Sequence, residues 1–222
     1  MKNWLRLNKG FVTFLILFGV FRTAVADWNP IPSGSMHPNI LEGDVVLVNR
    51  LAFNLKVPLT NIVLAHTGEP RRGEIVTFFS PGDGTRLIKR LIALPGDTVE
   101  MRDEHLLING QAARYAELDR VSEALEQRTA VTAQRYSETV GAQTRRIQML
   151  PALEARRDFG PVLVPSGQFL MLGDNRDNSA DSRYFGFVPR ELLIGRAVRV
   201  LVSADITGNW APRMERFGMA LE

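Results

Sequence analysis

From Asp44 onward the apolar residues come in short runs broken by glycine, proline and aspartate. DVVLVNRLAFNL, EIVTFFS, TRLIKRLIAL, TVEMRD and HLLING are rich in Val, Ile, Leu and Phe, and P-G-D-G, L-P-G-D and I-N-G-Q punctuate them. A second group, FGPVLVPSGQFLMLGDN and ELLIGRAVRVLVS, begins at Phe159. Short strands at this turn-marked spacing predict a mainly β chain built on an antiparallel, barrel-like or orthogonal sheet.

The section between these groups, residues 112–158, has a different pattern. AELDRVSEALEQR is polar, with Leu118, Val121 and Leu125 at helix-like spacing, and predicts a short surface helix. RYSETVGAQTRRIQML reads instead as a hairpin turning at Gly141-Ala142-Gln143. The section reads as an insertion without catalytic groups. It divides the chain into an N-terminal segment (1–27), a first β part (28–111), the insertion (112–158) and a second β part with its tail (159–222). The tail, WAPRMERFGMALE, is weakly patterned and reads as loosely held.

The N-terminus follows neither pattern. Lys2, Arg6 and Lys9 precede FVTFLILFGVF, Phe11–Phe21, which is apolar or small throughout apart from Thr13. One reading is a cleaved secretory signal with Ala24-Val25-Ala26 as its processing site. The other is an uncleaved anchor from about Trp4 to Ala26, extended by interfacial Trp and Arg side chains. Eleven residues are short against the ~20 that a helical span needs. Both readings keep the basic end in the cytoplasm and export the rest.

Composition narrows the chemistry. With 222 residues, 45% hydrophobic and 23% charged, the chain is long enough for one domain with a substantial core. The formal net charge is only +3, and no Lys/Arg run is interleaved with aromatics, which argues against a nucleic-acid partner. The absence of cysteine removes disulfides, thiolate metal sites and Cys nucleophiles. No cofactor and no metal are expected.

The candidate nucleophile lies in I-P-S-G-S-M-H-P, residues 31–38, where Ser33 and Ser35 flank Gly34. His37, two residues on, has little freedom to line up on the Ser35 Oγ, and His66 and His105 sit in loop-like or edge contexts. A triad is spatial and so is not excluded by order along the chain, but G-x-S-x-G is absent. Lys89 offers another base. In L-I-K-R-L-I-A-L-P-G-D, strand alternation puts Leu87, Lys89 and Leu91 on one face and Ile88, Arg90 and Ile92 on the other. A lysine on a core-facing side loses hydration, which lowers its pKa. The pattern alone favours the other reading, in which Lys89 faces solvent beside Arg90 as an ordinary basic pair on an edge strand.

The third element is G-D-N-R-D-N-S-A-D-S-R, residues 173–183. As a calcium loop it lacks the turn glycine and has Val188 where the closing glutamate belongs. It reads better as a hydrogen-bonded loop in which Asp181 pairs with Arg183 and Ser179 orients the Lys89 amine.

Together, IPSGSMHPNILEGDVVLVNRLAF, RRGEIVTFF, RLIKRLIALPGDTVE and GDNRDNSADSRYFGFVP resemble bacterial type I signal peptidases, the membrane-bound Ser/Lys endopeptidases, in content and order. The resemblance spans roughly 22–110 and 144–203. It implies Ser35 as nucleophile, Lys89 as general base, and Ser33 with the Ser35 backbone N–H as oxyanion hole. It further implies that Ser179 bonds Lys89, that Asp181 and Arg183 stabilise the loop, and that Ile31, Met36, Ile40 and Ile88 line shallow pockets for small substrate side chains. The family fold is a mostly antiparallel β domain with a variable β extension where this chain has 112–158. The expected architecture is therefore mainly β: an antiparallel barrel-like catalytic domain with a small inserted extension and one N-terminal transmembrane helix.

The resemblance favours the anchor reading, with a single pass, the N-terminus in the cytoplasm and the catalytic domain on the exported face of the bacterial inner membrane. Expected partners are membrane-tethered preproteins cut after small residues at −1 and −3, and the bilayer itself, with Trp28 at its interface; the oligomeric state is left open. Two departures stand out: a single apolar segment precedes Ser35 where some members have two, and Leu87 stands where many have Tyr. The rivals are a specialised peptidase of the same build, such as a pilin-processing enzyme, and a membrane-anchored β domain that binds exported peptides without cutting them.

Overall fold

The computed structural model describes residue 4 and residues 8–60, 62–125 and 130–221. Lys2 and Arg6 of the basic start and residues 126–128 of the expected helix lie outside the described residues. The chain opens with helix α1 (Lys9–Ala24) and strand β1 (Ala26–Pro30). There follow β2 (Asp44–Asn49), β3 (Asn54–Lys56), β4 (Val63–His66), β5 (Ile75–Phe79) and β6 (Arg86–Ala93). Next come β7 (Thr98–Arg102), β8 (His105–Ile108), β9 (Gln111–Ala112), β10 (Arg114–Ala124), β11 (Ala130–Val140) and β12 (Gln143–Met149). The last elements are β13 (Phe159–Leu163), β14 (Gln168–Leu172), the short helix α2 (Ser182–Phe185), β15 (Val188–Pro189) and β16 (Leu193–Ser203).

The main sheet has seven strands in the order β1-β2-β16-β5-β6-β14-β15 and curls into half a barrel. The curl follows from its registers: β16 carries irregularities against both β2 and β5, and β14 carries one against β6. Such bulges bend a strand and increase its twist. One apolar cluster joins Ile31, Met36, Ile40, Val46, Ile75 and Val200 beneath the Ser35 turn. A second joins Phe53, Val76, Phe78, Leu91, Met171 and Leu193. A third packs the small sheet β13-β7-β8-β9 against Ile92, Leu170 and Leu172.

The section between the two β groups forms a separate three-stranded sheet, β10-β11-β12. The expected hairpin is present as β11 and β12, turning at Gly141 in the left-handed region (φ 59°), which glycine adopts without a Cβ clash. The expected helix is not. Residues 114–124 form an extended strand paired with β11 from Arg114↔Thr139 to Ala124↔Ala130. Leu118 stands at a bulge between Glu117 and Asp119 and is exposed, so its three-residue spacing from Val121 reflects a register slip rather than a helical turn.

The tail is held more firmly than its pattern suggests. Arg216 bonds the buried Asp44 at 2.5 and 2.9 Å and the Asn39 carbonyl at 2.9 Å, while Val200 donates to the Met219 carbonyl at 2.8 Å. Arginine contacts to carboxylate and carbonyl oxygens leave no mark in an apolar pattern.

Helix α1 has 16 residues, none of them buried. At 1.5 Å per residue it is about 24 Å long, against a hydrocarbon core of about 30 Å. Among the described residues no helix is long and apolar enough to cross a membrane. Even so, Phe11, Phe14, Leu15, Ile16, Leu17, Phe18, Val20 and Phe21 are all exposed along it.

Candidate active site

Gly34, Ser35 and Met36 form one buried 3-10 turn between β1 and β2. Two glycines near Ser35 leave room for close neighbours, and at Gly173 one of those neighbours is backbone. A Cβ on Gly34 would lie 2.7 Å from Glu42 Oε1, and one on Gly173 would lie 2.2 Å from Ser179 Oγ and 2.5 Å from the Ser35 carbonyl oxygen.

Strand β6 lies between β5 and β14, with Lys89 paired to Val76 and Arg90 to Leu172. Since Gly173 follows Leu172, the polar loop 173–183 starts beside Lys89. The lysine is 3% exposed, and its Nζ donates to Ser35 Oγ at 2.7 Å and to the Ile88 carbonyl at 3.0 Å. Burial pushes the amine down to about 8, against the opposing charges of Asp181 and Asp174. An amine that can be neutral near physiological pH, in contact with a hydroxyl, is the arrangement needed for a lysine general base.

The loop is packed rather than solvated. Arg183 donates to both Asp181 oxygens at 2.8 Å, and Asp181 Oδ2 also accepts the Gly173 N–H at 3.0 Å. Asp177 accepts the Leu150 N–H at 2.8 Å, and Ser182 Oγ accepts the Met171 N–H at 2.9 Å. Arg90 grips Asp174 with two bonds of 2.8 and 2.7 Å and donates to the Gly73 carbonyl. Ser179 Oγ is buried beside Gly173 and makes no hydrogen bond among the described residues, so the bond expected from it to Lys89 is not formed here. Ser33, in extended backbone just before the turn, is exposed and makes no side-chain capping bond.

Ile31, Met36 and Ile40 belong to one cluster, with Ile88 packed against it. Met36 and Ile40 are fully buried, which makes them floor rather than rim. None of the histidines bonds Ser35: His66 meets Asn54, His105 the Asp103 carbonyl, and His37 two carboxylates. A cavity of about 500 Å³ bounded by Arg71, Arg72, Arg145 and Arg196 lies elsewhere, with neither Ser35 nor Lys89 in its wall.

Several supporting residues escaped the sequence reading. Glu138, on β11, is fully buried and receives Arg176 at 2.6 and 2.7 Å and Arg145 at 2.6 Å. Its signal was available: strand alternation puts it on one face with Tyr136 and Val140, an odd place for a lone carboxylate. Asn175 and Glu123 had no such signal, because their contacts cross 141 and 86 residues of chain.

A family model described as "Signal peptidase, peptidase S26" matches residues 2–202. Signal peptidase I of Pseudomonas fluorescens is 35% identical over 208 residues, covering 88% of this chain and 72% of its own length. Probable signal peptidase I-2 of Synechocystis sp. is 37% identical over 202 residues, again covering 88% and 72%. A crystal structure of a signal peptidase I from Enterococcus faecalis V583 aligns with 36% identity over 58% of this chain and 96% of that one, with a TM-score of 0.35.

Proposed function

The chain belongs to the peptidase S26 family of signal peptidases, and from that premise we propose that it removes N-terminal signal peptides from exported preproteins with Ser35 as nucleophile and Lys89 as general base. The observation that carries this reading is the 2.7 Å contact between a buried, pKa-lowered amine and a serine hydroxyl. The neutral Lys89 takes the Ser35 proton as Oγ attacks the scissile carbonyl, forming an acyl-enzyme. The Ser33 hydroxyl and the Ser35 backbone N–H hold the oxyanion. The protonated lysine then gives its proton to the leaving amine, which departs as the new N-terminus of the mature protein. Water hydrolyses the acyl-enzyme, releasing the signal peptide with a free carboxylate and restoring Ser35. Substrate bound across the site excludes water and keeps the amine neutral.

Ile31, Met36, Ile40 and Ile88 form the floor and wall of pockets for small side chains at −1 and −3. Ser179 rotates to bond the amine when substrate is bound, and the Asp181–Arg183 pair holds the loop that carries it. Helix α1 is the membrane anchor: it buries no residue, and most of its large apolar side chains are exposed, with Phe18 meeting a ring of the β domain, Trp28. Arg22 stacks over Trp28 at 4.4 Å from the ring centroid, a pair suited to the bilayer interface. The catalytic domain then lies on the exported face of the bacterial inner membrane, where membrane-tethered precursors reach it.

The test is cleavage of a secretory precursor carrying an Ala-x-Ala site, reconstituted with the full chain in detergent micelles. The expected product is the mature protein with its new N-terminus directly after the site. Binding of precursor without a cut would replace this reading with that of a peptide-binding domain.

A further inference from the structure

The geometry points to His37 as a positioning residue through which the β10–β12 sheet holds the turn that carries Ser35. This rests on the reading of Ser35 and Lys89 as the catalytic pair. The His37 backbone N–H donates to the Gly34 carbonyl at 3.0 Å and so closes the turn around Ser35. Its side chain is 12% exposed and lies between two carboxylates. Nε2 is 2.6 Å from Glu42 Oε2, and Nδ1 meets Glu123 Oε1, which is delivered by β10. A neutral imidazole has one N–H, whereas an imidazolium, charged and with an N–H on each nitrogen, suits carboxylates on both sides of the ring.

Charge and space agree. Burial pushes the ring down, but Glu123 and Glu42 outweigh it and raise it to about 9. Glu42 is in turn lowered by His37 and by Arg213, whose Nη1 donates to the Glu42 carbonyl at 2.8 Å. Gly34 leaves the room that Glu42 and His37 fill, since a Cβ there would lie 3.2 Å from His37 Cε1. The same sheet reaches the nucleophile from its other end. Gln148 of β12 exchanges bonds of 2.8 Å with Asp174 and Arg176, and between these two, Asn175 donates to the Ser35 carbonyl at 3.2 Å. The three-stranded sheet therefore braces the turn on two sides, and its His37 contact depends on a charge.

The experiment measures kcat and KM on a synthetic precursor in detergent for the full chain, Glu123→Ala, Glu123→Gln, His37→Gln and the surface control Glu117→Ala, with melting temperatures for each. Displacing a reacting group by about 1 Å can cost on the order of a hundredfold. Glu123→Ala is expected to lower kcat about tenfold or more, on that same scale, with KM little changed. Glu123→Gln, which keeps an acceptor for Nδ1–H, should recover much of the loss, and Glu117→Ala should match the parent. Parent kcat should fall above about pH 9 as the imidazolium loses its proton, and His37→Gln should lack that falling limb. Should Glu123→Ala fail to fold, the double variant His37→Gln/Glu123→Gln, an uncharged hydrogen-bonded pair, gives the same pH readout. Unchanged kcat in Glu123→Ala and His37→Gln, or an alkaline limb that survives in His37→Gln, would overturn the proposal. A parent protein that cuts nothing would instead remove the function on which it rests.

Discussion

Asn175 holds the backbone of Ser35: its N–H donates to the Ser35 carbonyl at 3.2 Å, and its side-chain amide donates to the adjoining Gly34 carbonyl at 3.0 Å. The Ser35 turn is thus fixed by a loop distant in sequence, and at Gly173 there is no room between the two for a side chain. Gly173→Ala would set a methyl 2.5 Å from the Ser35 carbonyl oxygen, so the turn must shift. A loss of about a hundredfold in kcat is the expected result. Full activity in that variant would mean the turn tolerates displacement.

The dyad itself makes the sharpest prediction. Ser35→Ala and Lys89→Ala should each abolish cleavage while the domain remains folded. Lys89→Arg should be equally inactive, because a guanidinium stays protonated throughout the working range. With the amine at about 8, its neutral fraction and the rate should climb as pH rises through that value. An activity profile flat from pH 5 to 9 would contradict a lysine base.

Burying Lys89 should cost stability, with a defined pH dependence. Its pKa is lowered from 10.5 to about 8, so between these values the unfolded chain binds more protons and folding becomes more favourable as pH rises. Below about pH 8 the penalty is fully present and amounts to about 3 kcal/mol at ~1.4 per unit. Lys89→Met should therefore be the more stable protein at pH 7 in urea titrations and lose that advantage by about pH 10.5. Equal midpoints at pH 7 would show that the amine is hydrated.

Glu138 should behave in the opposite sense. Burial pushes its carboxyl up, but Arg176 and Arg145 hold it at about 2, so its contribution is present above 4.5 and is lost as pH falls toward 2. Glu138→Gln strands two guanidinium groups and should cost about 3–5 kcal/mol at pH 7. Its stability should also fall less steeply than the parent's on acidification below pH 4.5. Parallel acid unfolding curves for the two proteins would deny Glu138 its role.

Much of this was legible in the sequence. The hairpin at Gly141, the β runs from Asp44 and the loop 173–183 rest on local signals: turn residues, alternation and density of short polar side chains. Alternation set Lys89 on one face with two leucines but favoured an exposed edge position; the resemblance pointed inward, and the structure buries it. Where the reading failed, the cause was nonlocal. Leu118, Val121 and Leu125 imitate a helix because a bulge breaks the strand's two-residue period. The tail looked loose because the arginine bonds that tie it down, beside the packing of Met219 and Leu221 on the core, leave no periodic mark in the sequence. The middle section looked inert because Glu123, Glu138 and Gln148 act through partners far away in sequence.

The order in which these parts leave the ribosome has a consequence. Ser35 and Lys89 are both made early, but the loop 173–183, whose Asn175 holds the carbonyls of Gly34 and Ser35, belongs to the last quarter of the protein. A partly synthesised copy therefore carries both side chains before the loop that fixes the Ser35 turn exists.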